Sequence, residues 1–478
     1  MLFTEPAFLF VFLPVLLGAY FVAPVRLRNT ILTLASLGFY ALGELKFLPL
    51  MVLSIGLNYG LALWIERTRL ESRGRAILAL GICSDLILLL VFKYTGWLAD
   101  NLAHLMSVLG LQTLTPPSIV LPLGISFFTF HKISYKIDVY RGDTRAQRNP
   151  LTLALYILFF PQLIAGPIVR YHDIADQLER RSVRVQLFAG GVRRIIIGLA
   201  KKLIIANCVA VVADAVFQAP SDELGVTVAW LGILCYTLQI YFDFSGYSDM
   251  AIGLAMLFGF RFLENFDHPY ASRSITEFWR RWHISLSRWF RDYLYIPLGG
   301  NRGSELRTYR NLLIVFFLCG LWHGASWEFV FWGLFHGLFL VIERLGWGAR
   351  LRRVLPVFAN AYTLLVVMIG WVFFRAGSVG DALSFLGSMI GLGEQSPVYS
   401  LGLYLDPWIV SVILIGVVTS FPIRHWAADR LRVTMPDGSR RLTTGVEIVT
   451  TAGMFGLLVL CLMLIAAGTY NPFLYFRF

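Results

Sequence analysis

The stretch NLLIVFFLCGLWHGASW, residues Asn311–Trp327, contains no Asp, Glu, Lys or Arg, and the largely apolar run to which it belongs extends to Ile342. About 20 apolar residues suffice for one bilayer crossing. This run is therefore long enough for one or two passes. The rest of the chain has the same character. Of its 478 residues, 57% are hydrophobic and 15% charged, whereas a soluble domain carries about 25% charge to coat its core. Soluble enzymes, disordered chains, collagens and disulfide scaffolds are excluded. The chain reads as an all-α polytopic membrane protein.

Ala7–Val25 is a first uncharged span, with Arg26 and Arg28 directly after it. Basic residues stay on the cytoplasmic side, so the N-terminus is expected outside. The short leader carries Glu5 and no basic residue, unlike a secretory signal. Further spans are expected at Phe47–Ile65, Ala76–Phe92, Pro150–Val169, Ile195–Ala213, Gly225–Phe260, Asn311–Ile342, Val354–Phe374, Pro407–Ile423 and Ile448–Phe476. The shorter runs Ile31–Leu42 and Ile119–Phe130 read as tilted, re-entrant or buried helices. Counting long runs as one or two passes predicts roughly eleven crossings. No linker or internal repeat divides residues 1–478, which read as one membrane domain.

Lys and Arg number 41 against 29 Asp and Glu. The Arg residues cluster between apolar runs, so the excess charge signals topology and contact with anionic membrane lipids, not nucleic acid. The five Cys lie in or beside apolar runs without CxxC or Cys/His spacing, which indicates neither a disulfide frame nor a zinc site. The segment Arg261–Arg310 stands out, with nine Arg, five acids and many large aromatics, among them Phe278, Trp279, Trp282 and Trp289. It is expected to form amphipathic helices at the cytoplasmic interface or dipping into it.

The sequence has no GxxxxGK loop, HExxH, GxSxG, HxxxxD or DxD motif. The Gly299–Gly303 turn offers backbone amides and Arg302 to a phosphate, or is simply a tight turn. What remains is histidine in apolar sequence. His323 is flanked by Gly320 and Gly324, and His336 by Gly333 and Gly337, with Glu328 between the two. Ionisable groups at membrane depth are costly and usually face a cavity or a partner. The alternative for each is a neutral His bonded to a carbonyl between helices. Glu328 would either orient a His or pair with an Arg. His283 lies among Arg280, Arg281 and Arg288, and like charge should depress its pKa and leave it neutral. It is then either a base or acceptor, or a packed member of the aromatic collar. Asp243 and Asp249 do not share a helix face cleanly and are expected to pair with Arg on neighbouring helices.

Taken together, these residues resemble the membrane-bound O-acyltransferase (MBOAT) family, and among its members those that O-acetylate alginate. The resemblance covers nearly the whole chain. It rests on Phe8–Pro14, Leu121–Phe130, Phe160–Arg170, Tyr241–Asp249, Thr276–Ser287, Arg291–Tyr295, Gly320–Gly324 and Asn471–Phe476. It implies an MBOAT-like fold with His323 at the catalytic position and His283 at the second motif position. One departure is His131, where the family pattern has Gln.

The resemblance further implies acetyl transfer from a cytoplasmic thioester, acetyl-CoA, to a hydroxyl on or facing the periplasmic side of a bacterial inner membrane. His323 would be the base, and His283 would polarise the thioester carbonyl or position the donor. Arg280, Arg281, Arg288 and Arg291 would meet the donor's phosphates. No bound cofactor or metal is required. Candidate acceptors are alginate, cellulose, another exopolysaccharide, peptidoglycan, or a Ser on a periplasmic acetyltransferase partner. Two readings of other classes compete. One is a proton-coupled polysaccharide or lipid carrier, which should show paired broken helices that are absent from the sequence. The other is a non-catalytic scaffold in a polysaccharide export complex.

Overall fold

The computed structural model describes residues 2–112, 117, 119–393, 396–423, 432–434, 440–442, 444–468 and 470. The Asn471–Phe476 string, the end of the Ile448–Phe476 span and most of the Arg424–Arg441 connector lie outside the described residues. Among the described residues the regular elements are helices apart from one small hairpin. In order the helices are α1 (Phe8–Val22), α2 (Arg28–Glu44), α3 (Leu48–Thr68), α4 (Gly74–Val108), α5 (Ile125–Arg141) and α6 (Pro150–Leu158). Then come α7 (Tyr171–Glu179), α8 (Val185–Gln218), α9 (Val226–Leu257), α10 (Ile275–Arg281) and α11 (Ile284–Phe290). The last are α12 (Glu305–His323), α13 (Trp327–Leu351), α14 (Pro356–Arg375), α15 (Val379–Met389), α16 (Pro407–Thr419) and α17 (Thr444–Ala466). Two three-residue strands, β1 (Arg432–Thr434) and β2 (Arg440–Leu442), pair antiparallel before α17.

Among the described residues, seven helical segments are long and apolar enough to cross a membrane, and α1 and α16 are shorter apolar helices. This is a multi-pass membrane protein. Several spans differ from the sequence reading. Pro150–Val169 is not one helix: α6 stops at Leu158, and a single turn, Phe160–Leu163, follows with Pro161 in it. A proline inside the run removes a backbone donor and breaks the helix. The run Asn311–Ile342 is two helices, α12 and α13, separated by Gly324–Ser326. Ile31–Leu42 belongs to a longer, nearly continuous segment, Val25–Thr68.

The centre of the molecule is α9, most of whose side chains are buried. Helix α8 crosses it through two reciprocal glycine pairs seven residues apart. A Cβ on Gly191 or Gly253 would sit 2.7 Å from the other's carbonyl oxygen, and on Gly198 or Gly246 within 2.8 Å. Only hydrogen fits there. Such small-residue stripes let backbones approach where lipid supplies no hydrophobic drive for helix association. Lys201 and Arg194 on α8 then reach Asp249, at 2.7 and 2.9 Å, and Lys202 reaches Asp243 at 2.7 Å. Both Asp residues pair with neighbouring cations, as expected, although two of the three are Lys.

Helix α5 passes through the interior with Lys132 and Lys136 fully buried. Lys132 donates to Ser54 at 2.7 Å and lies 3.0 Å from Asp85, while Lys136 donates to Asn58 at 2.6 Å and also to Asp85. This polar cluster ties α5 to α3 and α4, because a buried charge is stable only when paired and hydrogen-bonded.

In the segment Arg261–Arg310 the aromatics and the arginines face different surroundings. Its aromatics point into the protein: Trp282 lies 4.9 Å from Trp371, Trp279 5.6 Å from Trp332, and Trp289 stacks on Phe130 at 3.8 Å. Its arginines are exposed or half-buried. The two helices in it, α10 and α11, are seven residues each and form part of the core wall.

Candidate active site

Helix α12 carries Trp322 and His323 at its C-terminal end, and its crossing with α13 fixes where they point. A Cβ on Gly320 would strike the Phe329 carbonyl, and one on Gly333 the Phe316 carbonyl, so the two helices meet backbone to backbone just before the histidine. Gly324 has no room for a side chain against the Phe329 ring. The His323 ring is buried between Trp322 and Trp332, each at 4.9 Å, and Phe374 at 5.3 Å.

The last turn of α12 leaves carbonyls without intrahelical donors. Lys93 on α4 meets them: its ammonium donates to the Trp322 carbonyl, lies 3.4 Å from that of His323, and reaches Ser126 Oγ at 3.3 Å. Tyr94 donates to the Leu321 carbonyl at 2.7 Å. A cation at a helix C-terminus is also favoured by the helix dipole. The sequence reading did not single out Lys93. Its signal was a lone Lys directly after the apolar run Ala76–Phe92.

His283 arrives from the other side. It forms the break between α10 and α11 with a left-handed backbone, φ 44°, and is fully buried. Burial, not the neighbouring arginines, pushes its pKa down to about 3, because the low-dielectric surroundings disfavour the imidazolium. Its Nδ1 lies 3.1 Å from Asn265 Oδ1. That Asn atom also accepts the Ser285 backbone N–H at 3.2 Å and the Ser285 hydroxyl at 2.8 Å, so it is the oxygen. Asn265 Nδ2 in turn donates to Ser248 Oγ on α9 at 3.0 Å. The neutral ring must therefore carry its proton on Nδ1. Nε2 is then a buried acceptor with no hydrogen-bond partner among the described residues. Asn265 and Ser285 were not visible as site residues in the sequence, since nothing in their local pattern marks them.

Trp322 joins the two histidines, its ring 6.2 Å from His283 and 4.9 Å from His323. Its indole N–H is buried without a partner among the described residues. His283 and Lys93 both lie within electrostatic reach of His323. The site thus contains two imidazoles, one with its tautomer fixed, and an unused N–H donor between them. This arrangement suits proton transfer to or from a hydroxyl and stabilisation of an oxyanion.

The other candidates separate from this pair. His336 is buried behind Trp332, 5.3 Å away, with Trp279 at 5.1 Å, and neither ring nitrogen has a hydrogen bond among the described residues. Glu328 makes neither a hydrogen bond to a histidine nor an ion pair with an arginine among the described residues. His131 is buried beside Tyr156, its ring 5.6 Å from that residue's. Of the four candidate donor-binding arginines, Arg281 pairs with Glu277 at 2.9 Å and Arg291 with Asp292 at 2.7 Å. Arg280 is exposed and Arg288 half-buried, and neither makes an ion pair among the described residues.

His336→Ala is expected to lower turnover by less than about 10²-fold, below the range for a lost general base. Removing an imidazole with two unsatisfied nitrogens relieves one buried cost while opening a cavity. Parallel measurements of turnover and melting temperature check this. A loss equal to that of His323→Ala in equally stable protein would reverse the ranking.

The description "MBOAT, membrane-bound O-acyltransferase family" matches residues 144–378, a span that contains both histidines. A "Probable alginate O-acetylase AlgI" of Azotobacter vinelandii is 42% identical over 503 aligned residues, covering 100% of both chains. Its counterpart in Pseudomonas aeruginosa is 48% identical over 395 residues, covering 82% of this chain and 75% of that one. A "Peptidoglycan O-acetyltransferase" of Helicobacter pylori is 40% identical over 431 residues, covering 83% and 81%. With this likeness running the full length of the chain, the protein belongs to the membrane-bound O-acyltransferase family and is an O-acyltransferase.

Proposed function

We propose that the protein moves an acetyl group from acetyl-CoA on the cytoplasmic side of a bacterial inner membrane to a hydroxyl on the periplasmic side, for O-acetylation of an alginate-type exopolysaccharide. The observation that carries this reading is the convergence of His323 and His283 on Trp322. The similarity to alginate O-acetylases supports the choice of acetyl group and polymer. The acceptor hydroxyl gives its proton to His323 as it attacks the thioester carbonyl. The tetrahedral oxyanion is stabilised by the Trp322 N–H, and collapse expels the thiolate, which takes the proton back from His323. No net proton is consumed.

The fixed tautomer of His283 narrows its role. With its only proton committed to Asn265, neutral His283 accepts a hydrogen bond and cannot polarise a carbonyl. Of the two roles considered from sequence, it therefore positions the donor, by accepting an N–H or O–H at Nε2. Arg280 and Arg288, free of carboxylate partners, are better placed to meet the donor's phosphates than Arg281 and Arg291. A periplasmic acetyltransferase that completes delivery to the polymer is the proposed partner. Peptidoglycan is the second reading of the acceptor, favoured by the 40% identity to the Helicobacter enzyme.

Purified protein given labelled acetyl-CoA should release CoA and pass label to an acceptor, whereas a carrier or scaffold would leave the thioester intact. For orientation, Ser304 is exposed at the N-terminus of α12, next to the arginine-rich segment. Ser304→Cys should react with an impermeant thiol reagent only in inverted vesicles. Labelling from the periplasmic face would reverse the topology and remove the case for a cytoplasmic donor.

A further inference from the structure

A second basic feature lies apart from the histidine centre. Between α7 and α8 the chain carries Arg180, Arg181, Ser182 and Arg184, and just after α9 it carries Arg261. These residues line one cavity of about 300 Å³, together with the side chain of Gln177, and no lining residue is acidic. Several arginines elsewhere meet carboxylates: Arg170 pairs with Asp173 at 2.8 Å and Asp292 at 2.5 Å, and Arg375 with Asp214 at 2.5 Å. Among the described residues, none of the four cavity arginines makes an ion pair.

The cavity is also built to keep its shape. Arg181 Nε donates to the Phe258 carbonyl at 3.0 Å, another of its N–H groups reaches the Gln177 carbonyl at 3.3 Å, and its guanidinium lies 4.3 Å over the Phe260 ring. Gln177 Oε1 accepts the Arg261 backbone N–H at 2.7 Å and so fixes the start of that loop. Arg28 lies 5.0 Å over the Tyr20 ring, and the Tyr20 hydroxyl donates to the same Phe258 carbonyl at 2.9 Å. Helix α8 begins at Val185 with no side-chain cap, so its first N–H groups are open as well.

Two observations place this cavity at the edge of the bilayer. Helix α8 is a candidate membrane span and begins directly after Arg184. The aliphatic side chain next to Arg184, Val185, is 81% exposed. Concentrated cationic groups beside an exposed aliphatic side chain at the mouth of a span match a ligand with a phosphate head and an acyl tail. Basic pockets between spanning helices bind phospholipid head groups by this chemistry, and guanidinium forks match phosphate oxygens in pairs.

We propose that this cavity is a binding site for the phosphate head group of an anionic phospholipid. The site is independent of the acyl chemistry at His323 and does not rest on the choice of acetyl donor.

The test uses the full chain purified in a neutral detergent. Binding of phosphatidylglycerol, phosphatidylcholine and inorganic pyrophosphate is measured by native mass spectrometry and by shift in melting temperature. Phosphatidylglycerol should bind and stabilise, and phosphatidylcholine should not. R180Q/R184Q/R261Q should weaken phosphatidylglycerol by about 100-fold, as three interfacial arginines each contribute roughly a fivefold factor. R352Q/R353Q removes two exposed arginines elsewhere and should leave binding unchanged. Should the triple variant fold poorly, R180Q and R184Q alone, both at exposed positions, should each weaken binding by roughly fivefold. Equal binding of the two lipids, or undiminished phosphatidylglycerol binding in the cavity variants, overturns the site. Pyrophosphate binding that these variants abolish, with no phosphatidylglycerol bound, overturns the lipid in favour of a soluble phosphate ester.

Discussion

His323→Ala is expected to lower acetyl transfer by roughly 10²–10⁴-fold, the range for a lost general base, while expression and membrane insertion persist. The structural reason for persistence is that the α12–α13 crossing depends on Gly320, Gly333 and Gly324, whose backbones meet the neighbouring chain directly. The imidazole packs against the rings of Trp322, Trp332 and Phe374. Its removal leaves a cavity and not a broken helix pair. Transfer of label from acetyl-CoA by purified variant, with a melting curve on the same sample, separates chemistry from folding. Activity above about a tenth of wild type, well outside the general-base range, would remove His323 from the base position.

The sequence made His323 visible because an ionisable side chain in a long uncharged run is rare and demands a reason. His283 was less visible. Its arginine neighbours pointed to a solvated, interfacial setting, but the adjacent Trp282 and Trp279 face inward and carry His283 into the interior with them. Its electrostatics were therefore attributed to like charge, when burial dominates. Residues that act through others left no pattern at all. Asn265 is one polar residue in a charged connector, yet it sets the tautomer of His283 and anchors it to α9.

The same limit applies to the fold. Spans with long uncharged runs, such as α3 and α14, could be read directly. Helix α5 could not, because Lys132, Lys136 and Asp138 interrupt its apolar pattern. In the folded chain these charges are buried, with Asp85 meeting both lysines and Tyr293 donating to Asp138 at 2.7 Å. A hydropathy window reads each charge as a cost and cannot see the partner that offsets it. The glycine pairs that set α8 against α9 were legible in principle, as two small-residue positions seven apart on each helix. That signal only acquires meaning once the two helices are known to cross.

His283→Gly and His283→Ala are expected to lose turnover alike, by roughly 10²-fold, the loss that follows a misplaced reactant, and yet to differ in stability. Both remove the Nε2 acceptor. The backbone at His283 is left-handed, with φ 44° and ψ 54°, a conformation that costs a non-glycine residue about 1–2 kcal/mol. Glycine adopts it without that cost, so His283→Gly should be more stable than His283→Ala by about 1 kcal/mol. The lost packing against Phe244, whose ring is 4.7 Å away, is common to both variants and cancels in the comparison. The chain therefore tolerates strain at this residue in order to place an imidazole, which is the pattern expected where conformational cost is retained for function. Melting temperatures of the two variants, with turnover measured on each, decide the matter. A glycine variant no more stable than the alanine one would remove the strain argument. A glycine or alanine variant that keeps wild-type turnover would remove His283 from the site.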